Sequence, residues 1–160
     1  MQGSIEAIFI AVAGSVPMIP VEEVHAIESA GLEGDRYMRR NGYWSGVDEC
    51  EVTFIEAEGL DEIVAETGLL VRCGEHRRNV VTRGIRLMDL RGRRFTVGEA
   101  VFEYDRPRPP CRYIEGLTQP GMTRALTRGR GGICVRVVKT GRIRVGDAIS
   151  IEKGETDERV

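Results

Sequence analysis

The strongest constraint on how this chain can fold is a series of short, β-branched runs in its second half, separated by glycine-containing turns. Asn79–Thr82, Arg94–Val97, Ala100–Tyr104, Ile133–Val138 and Arg142–Val145 follow one another at a spacing that suits a barrel or a sandwich and leaves no room for long helices. The phrase Val-Gly-acid-Ala recurs as Val97-Gly98-Glu99-Ala100 and Val145-Gly146-Asp147-Ala148, which predicts two tight turns that each need glycine's backbone freedom and each feed a strand. Upstream, Ser4–Ala13, Val24–Ile27 and Glu51–Ile55 read as further strands. The run EAEGLDEIVAETG sets Leu60, Ile63 and Val64 at helical spacing with Gly68 as C-cap, and Gly121–Leu126 predicts one short helix. Ser29–Val47 loses all periodicity and reads as a long connection carrying Tyr43 and Trp44, a type of segment that often gates or serves a site.

With 160 residues the chain can bury a full core without disulfides or metal. The four cysteines, Cys50, Cys73, Cys111 and Cys134, form no CxxC pair, and His25 and His76 are the only histidines, so reduced thiols in a cytoplasm are expected and a structural metal is not. The N-terminal apolar run lacks a basic flank and is interrupted by Glu6, so it reads as a strand rather than a signal peptide. No apolar run approaches membrane-spanning length, and a net charge of -2 gives no generic basic surface, so neither a membrane nor a nucleic acid is an expected partner. Residues 152–160 read as a charged tail after one domain spanning 1–151.

The basic residues are 21 arginines and two lysines. Lys139 lies in VVKTGR, which reads as a hairpin turn, and Lys153 lies in the tail, so neither suits the buried Schiff base of an enzyme carrying its own pyridoxal phosphate. Charge is also segregated: residues 48–66 hold eight acids and no base, 72–94 hold eight arginines, and 106–130 hold six. Such runs either solvate a face or converge on an anionic ligand. Between the two basic stretches stands DRPRPPCRYIEG, in which three prolines impose an irregular path on Cys111 and Arg106, Arg108 and Arg112 surround it. Guanidinium groups favour the thiolate, the form that accepts and transfers sulfur. Cys50 and Cys134 sit in strand-like runs and read as small core hydrophobes.

The ordered motifs Gly34-Asp35-Arg36, Arg78-Asn79, Gly84, Leu90, Val97-Gly98-Glu99, Pro110-Cys111 and Gly146-Asp147 closely resemble those of the MOSC domain, named for the C-terminal domain of molybdenum cofactor sulfurase. Tyr37 stands where the family usually has histidine. The resemblance implies a mostly β fold, a β-barrel like that of pyruvate kinase, with a few short peripheral α-helices. It implies that Cys111 is the motif cysteine, accepting persulfide sulfur from a pyridoxal-phosphate-dependent cysteine desulfurase for molybdenum cofactor or metal–sulfur cluster biosynthesis. Arg78, Asn79, Arg36, Asp35, Arg112 and Thr82 are then the candidates for holding an anionic small molecule or the phosphate of a pterin beside it. No tightly bound cofactor is expected on this reading, and pyridoxal phosphate enters only through the partner. The alternatives are a molybdenum-cofactor binder with Cys111 as metal ligand, partnered with a molybdoenzyme, and a non-catalytic interaction module.

Overall fold

The structure is a computed structural model that describes residues 3–40, 42, 50–110 and 112–152. Cys111, Tyr43, Trp44 and the tail from Lys153 lie outside the described residues, as does the side chain of Arg112. The strands are β1 (Gly3–Ile10), β2 (Ile19–Val21), β3 (Glu23–Ile27), β4 (Gly31–Leu32), β5 (Val52–Glu56), β6 (Val80–Arg83), β7 (Arg94–Val97), β8 (Ala100–Pro107), β9 (Ile133–Lys139), β10 (Gly141–Arg144) and β11 (Ala148–Ile151). The helices are α1 (Arg36–Arg39), α2 (Ala57–Thr67), α3 (Arg112–Leu117) and α4 (Met122–Ala125), with a 3-10 turn at Leu87–Leu90.

Seven strands close on themselves in the order β11-β7-β8-β9-β5-β6-β1, because β1 also pairs with β11. The expected barrel is therefore present. Strand β2 extends it beside β1, and β10-β3-β4 form a separate small sheet. All pairings are antiparallel except β5 with β6, which must be joined by a crossover, and α2 supplies it.

Strand alternation sorts the residues into two cores. Val52, Phe54, Val80, Val135 and Val137 face the barrel interior, where Phe54, Phe95 and Phe102 meet at centroid separations of 5.4–5.8 Å. Ile55 and Val81 face outward and pack under α2 and α4 through Leu60, Ile63, Met122 and Leu126. Gly68 ends α2 at φ 72°, its N–H returning to the Val64 carbonyl. The two repeated turns also need their glycines, with φ 56° at Gly98 and 95° at Gly146.

One expected turn takes another form. VVKTGR does not make a hairpin: β9 stays in the barrel while β10 pairs with β3 in the other sheet. Thr140 is the corner between them, its hydroxyl accepting the Glu28 N–H at 2.8 Å. The connection after Ser29 carries β4 and α1, which are too short to show periodicity. Among the described residues, no helix is long and apolar enough to cross a membrane.

Candidate functional site

The charge runs resolve into two populations. The acids of α2 pair with three of the arginines: Asp61 with Arg72 at 2.7 Å and Arg83 at 3.1 Å on the surface, and Glu66 with the largely covered Arg130 at 3.2 Å. The second population is buried. Among the described residues the buried charged side chains are Arg36, Arg77, Arg78, Arg108 and Asp35, which is four guanidinium groups against one carboxylate.

These groups are held on the outer face of the barrel wall by backbone-directed hydrogen bonds. Asp35 caps α1: its carboxylate accepts the N–H of Ala11 at 3.0 Å and of Tyr37 at 3.2 Å, and Arg36 at 3.0 Å. Arg36 also donates to the Tyr37 hydroxyl and to the Arg77 carbonyl, which ties α1 to the segment before β6. Arg78 donates through Nε to the Gly131 carbonyl at 2.6 Å and through a terminal nitrogen to the Arg108 carbonyl at 3.2 Å. It thereby clamps the proline run 107–110 against the glycine-rich loop 127–132. Burial, opposed by Tyr37 and reinforced by Arg108, brings its pKa down to about 10, so the group stays charged at neutral pH.

Arg77 is the least satisfied of the four. Its backbone sits at φ 64°, one terminal nitrogen donates to the Val16 carbonyl, and Nε and the other terminal nitrogen are buried with no hydrogen-bond partner among the described residues. Next to it, His76 is fully buried, accepts the Arg78 N–H at Nδ1 and presents Nε2 without a partner. Burial, followed by the charges of Arg78 and Arg77, pushes the His76 pKa down to about 3, so the imidazole is neutral. Buried donors without acceptors are costly, typically by ~1–3 kcal/mol each, and an anion would relieve that cost.

The remaining expected residues have other placements. Asn79 adjoins Arg78, but its side chain is committed to the wall: Oδ1 accepts from the N–H and hydroxyl of Thr53, and Nδ2 donates to the Phe9 carbonyl at 3.1 Å. Thr82 shares the inward-facing side of β6 with Val80 and donates to the Ile55 carbonyl, so it does not join the arginine group. Cys111 and the side chain of Arg112 lie outside the described residues, between Pro110 and the first turn of α3. A cavity of about 550 Å³ is walled by Pro107–Pro110, Gly129–Gly132 and Gly59 of α2, a size suited to a small molecule.

Sequence reasoning missed His76, Arg77 and a thiol pair. Cys134 lies on β9 opposite Thr53 of β5 and opposite Arg106 of β8, and so faces outward from the barrel. Its thiol interacts with that of Cys50. Hydrogen bonding from Cys50 pulls the Cys134 thiol below its ordinary range, with Arg108, Arg106 and Arg78 adding to the effect against burial. Burial and then Cys134 push Cys50 well up. Both are buried, as expected for core cysteines, but they sit in a charged setting. Only the run of basic residues hinted at this, because nothing local links two cysteines so far apart in the chain.

A closed seven-stranded barrel carrying buried guanidinium groups on its outer wall, beside a Pro-Pro-Cys segment, defines the class of protein. The sequence model of the MOSC domain matches residues 41–150, and the chain belongs to the MOSC domain family. Among solved structures, the YuaD protein from Bacillus subtilis superposes with a TM-score of 0.77 at 20% identity, covering 97% of this chain and 98% of that one. YiiM from Geobacillus stearothermophilus superposes with a TM-score of 0.73 at 18% identity, covering 94% of this chain and 75% of its own. YiiM from Escherichia coli gives 0.69 at 19% identity, with 96% and 71% covered. At these identities the likeness is one of fold. No curated protein matches the sequence.

Proposed function

We propose that this protein is a sulfur carrier or sulfurtransferase working in a cytoplasm. Cys111 accepts persulfide sulfur from a pyridoxal-phosphate-dependent cysteine desulfurase and passes it on in molybdenum cofactor or metal–sulfur cluster biosynthesis. The observation that carries this reading is the buried arginine group, four guanidiniums against Asp35, of which Arg108 lies on the run leading to Pro110-Cys111 and Arg78 is bonded to that run. Such a field stabilises a thiolate and a persulfide anion, and it attracts an anionic acceptor. In the loading step the Cys111 thiolate attacks the outer sulfur of the desulfurase persulfide, the S–S bond there breaks, and the desulfurase cysteine leaves as thiolate. Arg78 acts as a positioning residue because it fixes the proline run on which Cys111 follows. Asn79 holds the wall behind it, and Arg36 with Asp35 holds Arg77 in place.

Incubation with a cysteine desulfurase and cysteine, followed by intact-mass measurement, is expected to add one sulfur atom to the wild type and none to Cys111→Ser. Equal addition to both would overturn the reading.

A second reading is favoured by Arg77, whose buried nitrogens lack partners. These donors fit the phosphate of a molybdenum–pterin cofactor, and Cys111 would be a suitable soft ligand. The cofactor, when bound, would supply redox or oxygen-transfer chemistry, while Arg77 would bind its phosphate and the neutral His76 would donate from Nε2. Protein from a cofactor-producing host should then contain molybdenum in proportion to protein, and less in Arg77→Ala. Metal-free protein that still accepts sulfur would favour the first reading.

A further inference from the structure

Cys73 is used by neither reading, and among the described residues it is the exposed cysteine. It opens a tight turn in which the Arg77 N–H returns to the Gly74 carbonyl at 2.9 Å and the Cys73 N–H donates to a Glu75 carboxylate oxygen at 2.8 Å. Gly74 sits at φ 94°, and a Cβ there would stand 2.8 Å from Cβ of Met18, so the turn is seated directly on the loop before β2. Turn and loop enclose a cavity of about 270 Å³, lined by Cys73, Glu75 and Arg77 on one side and by Ser15, Pro17 and Met18 on the other. The Arg77 guanidinium reaches across to the loop wall: it donates to the Val16 carbonyl, and the residues on both sides of Val16 line the cavity. Arg77 is only 7% exposed, yet Nε and one terminal nitrogen have no hydrogen-bond partner among the described residues. A guanidinium in that state favours a carboxylate, which it can meet through two parallel N–H donors. Glu75 does not fill this role, because its carboxylate turns to the Cys73 backbone and makes no ion pair with Arg77.

We infer that Cys73 and Arg77 form a modification site for a small disulfide that carries a carboxylate, one half of which is kept as a mixed disulfide on Cys73 with its carboxylate on Arg77. The exposed Cys73 thiol gives its proton to solvent, and the thiolate attacks one sulfur of the entering molecule. The S–S bond there breaks, a new S–S bond to Cys73 forms, and the other half leaves as thiolate and takes up a proton. Cys73 is oxidised, the departing sulfur is reduced, and the entering disulfide is itself the oxidant. A second small thiol reverses the step by the same exchange. The cavity is smaller than one that holds a drug-sized ligand, so the retained half is of amino-acid size and not a peptide. A carboxylate held on Arg77 occupies the donors that the second reading gives to a phosphate, so modification would close that anion site. The site requires neither Cys111 nor a bound cofactor, and it stands apart from both readings.

The test compares disulfides of similar size and different charge on the full-length protein: dithiodipropionate, which is anionic, hydroxyethyl disulfide, which is neutral, and cystamine, which is cationic. Reaction is stopped with acid and followed on the tryptic peptide that begins at Cys73. Each rate is divided by the rate of the same reagent with N-acetylcysteine amide, which removes differences in intrinsic reactivity. The relative rate of dithiodipropionate is expected to exceed that of cystamine by at least ~10-fold, the factor that one charge-assisted pairing supplies, with hydroxyethyl disulfide between them. Arg77→Gln should abolish this preference, Arg77→Lys should keep part of it, and Glu75→Gln should increase it. Cys111→Ser should behave as wild type, which separates this site from the sulfur carrier. In the wild type itself, inorganic phosphate should slow dithiodipropionate more than potassium chloride of equal ionic strength does, so the inference is tested even should the variants fail to fold. Equal relative rates for the reagents, a preference that survives Arg77→Gln, or phosphate acting no differently from chloride would overturn it.

Discussion

His76 shows how burial alone can set the chemistry of a residue. Its folded pKa of about 3 lies below the ordinary value of 6.5, so between those pH values the unfolded chain binds a proton that the folded chain does not. The neutral histidine's contribution is therefore fully present above about pH 6.5 and is lost as the pH falls towards 3. In urea denaturation, the stability gap between wild type and His76→Gln is expected to be larger at pH 7 than at pH 5; a gap that does not change with pH would mean that His76 titrates normally. Asn79→Ala removes bonds to both Thr53 and Phe9 inside the wall and should cost ~2–4 kcal/mol in the same assay. At this scale the motifs single out Asp35, Arg36, Arg78 and Asn79, and the fold ties Arg36 to Asp35 and to the carbonyl of Arg77, the residue before Arg78. Their roles were not legible, because whether an amide faces a ligand or clasps Phe9 depends on tertiary partners. The same holds for the cysteines, since the setting of Cys134 depends on Arg106 from a neighbouring strand and Cys50 from before another.

Among the elements, the loop 127–132 and the proline run 107–110 are joined by a close approach that tolerates no side chain. A Cβ at Gly131 would stand 2.5 Å from the Arg108 carbonyl oxygen, and that oxygen is also an anchor for Arg78. Gly131→Ala is therefore expected to lower stability by ~1–3 kcal/mol and to slow sulfur loading more than Gly129→Ala, which strains the backbone at φ 77° but whose Cβ would meet nothing within 4 Å. Equal loading rates for the two variants would show that the clamp does not position the site. The strands of the second half were legible because alternation and glycine turns mark them locally; Arg94–Val97 has the same bounds in sequence and structure. Lys139-Thr140-Gly141 misleads because a two-strand hairpin and a corner between sheets use the same residues, and only the pairing of β10 with β3 distinguishes them. The four-residue α1 exists through the Asp35 cap and the arginine contacts, and its own propensity is too brief to announce it.

For the whole molecule, sequence composition acquires a structural meaning. The acidic stretch centred on α2 and the arginines after it neutralise each other at the surface, where individual ion pairs add little. Asp61→Asn is accordingly expected to change the unfolding free energy by less than about 1 kcal/mol although Asp61 has two arginine partners, whereas Phe102→Ala, which empties the stacked barrel interior, should cost ~3–5 kcal/mol. A larger effect for Asp61 than for Phe102 in denaturant titrations would contradict this division. Of the buried arginines, Arg108 lies on the run that leads to the Pro-Pro-Cys segment and Arg78 is bonded to it, and these two connect the fold to the proposed chemistry. That connection is tested most directly by locating the sulfur itself. After reaction with a cysteine desulfurase and cysteine, and trapping of persulfides with an alkylating reagent, the added sulfur is predicted on the tryptic peptide 95–112, which contains Cys111. Sulfur found on the other cysteine peptides with 95–112 unmodified would contradict the account.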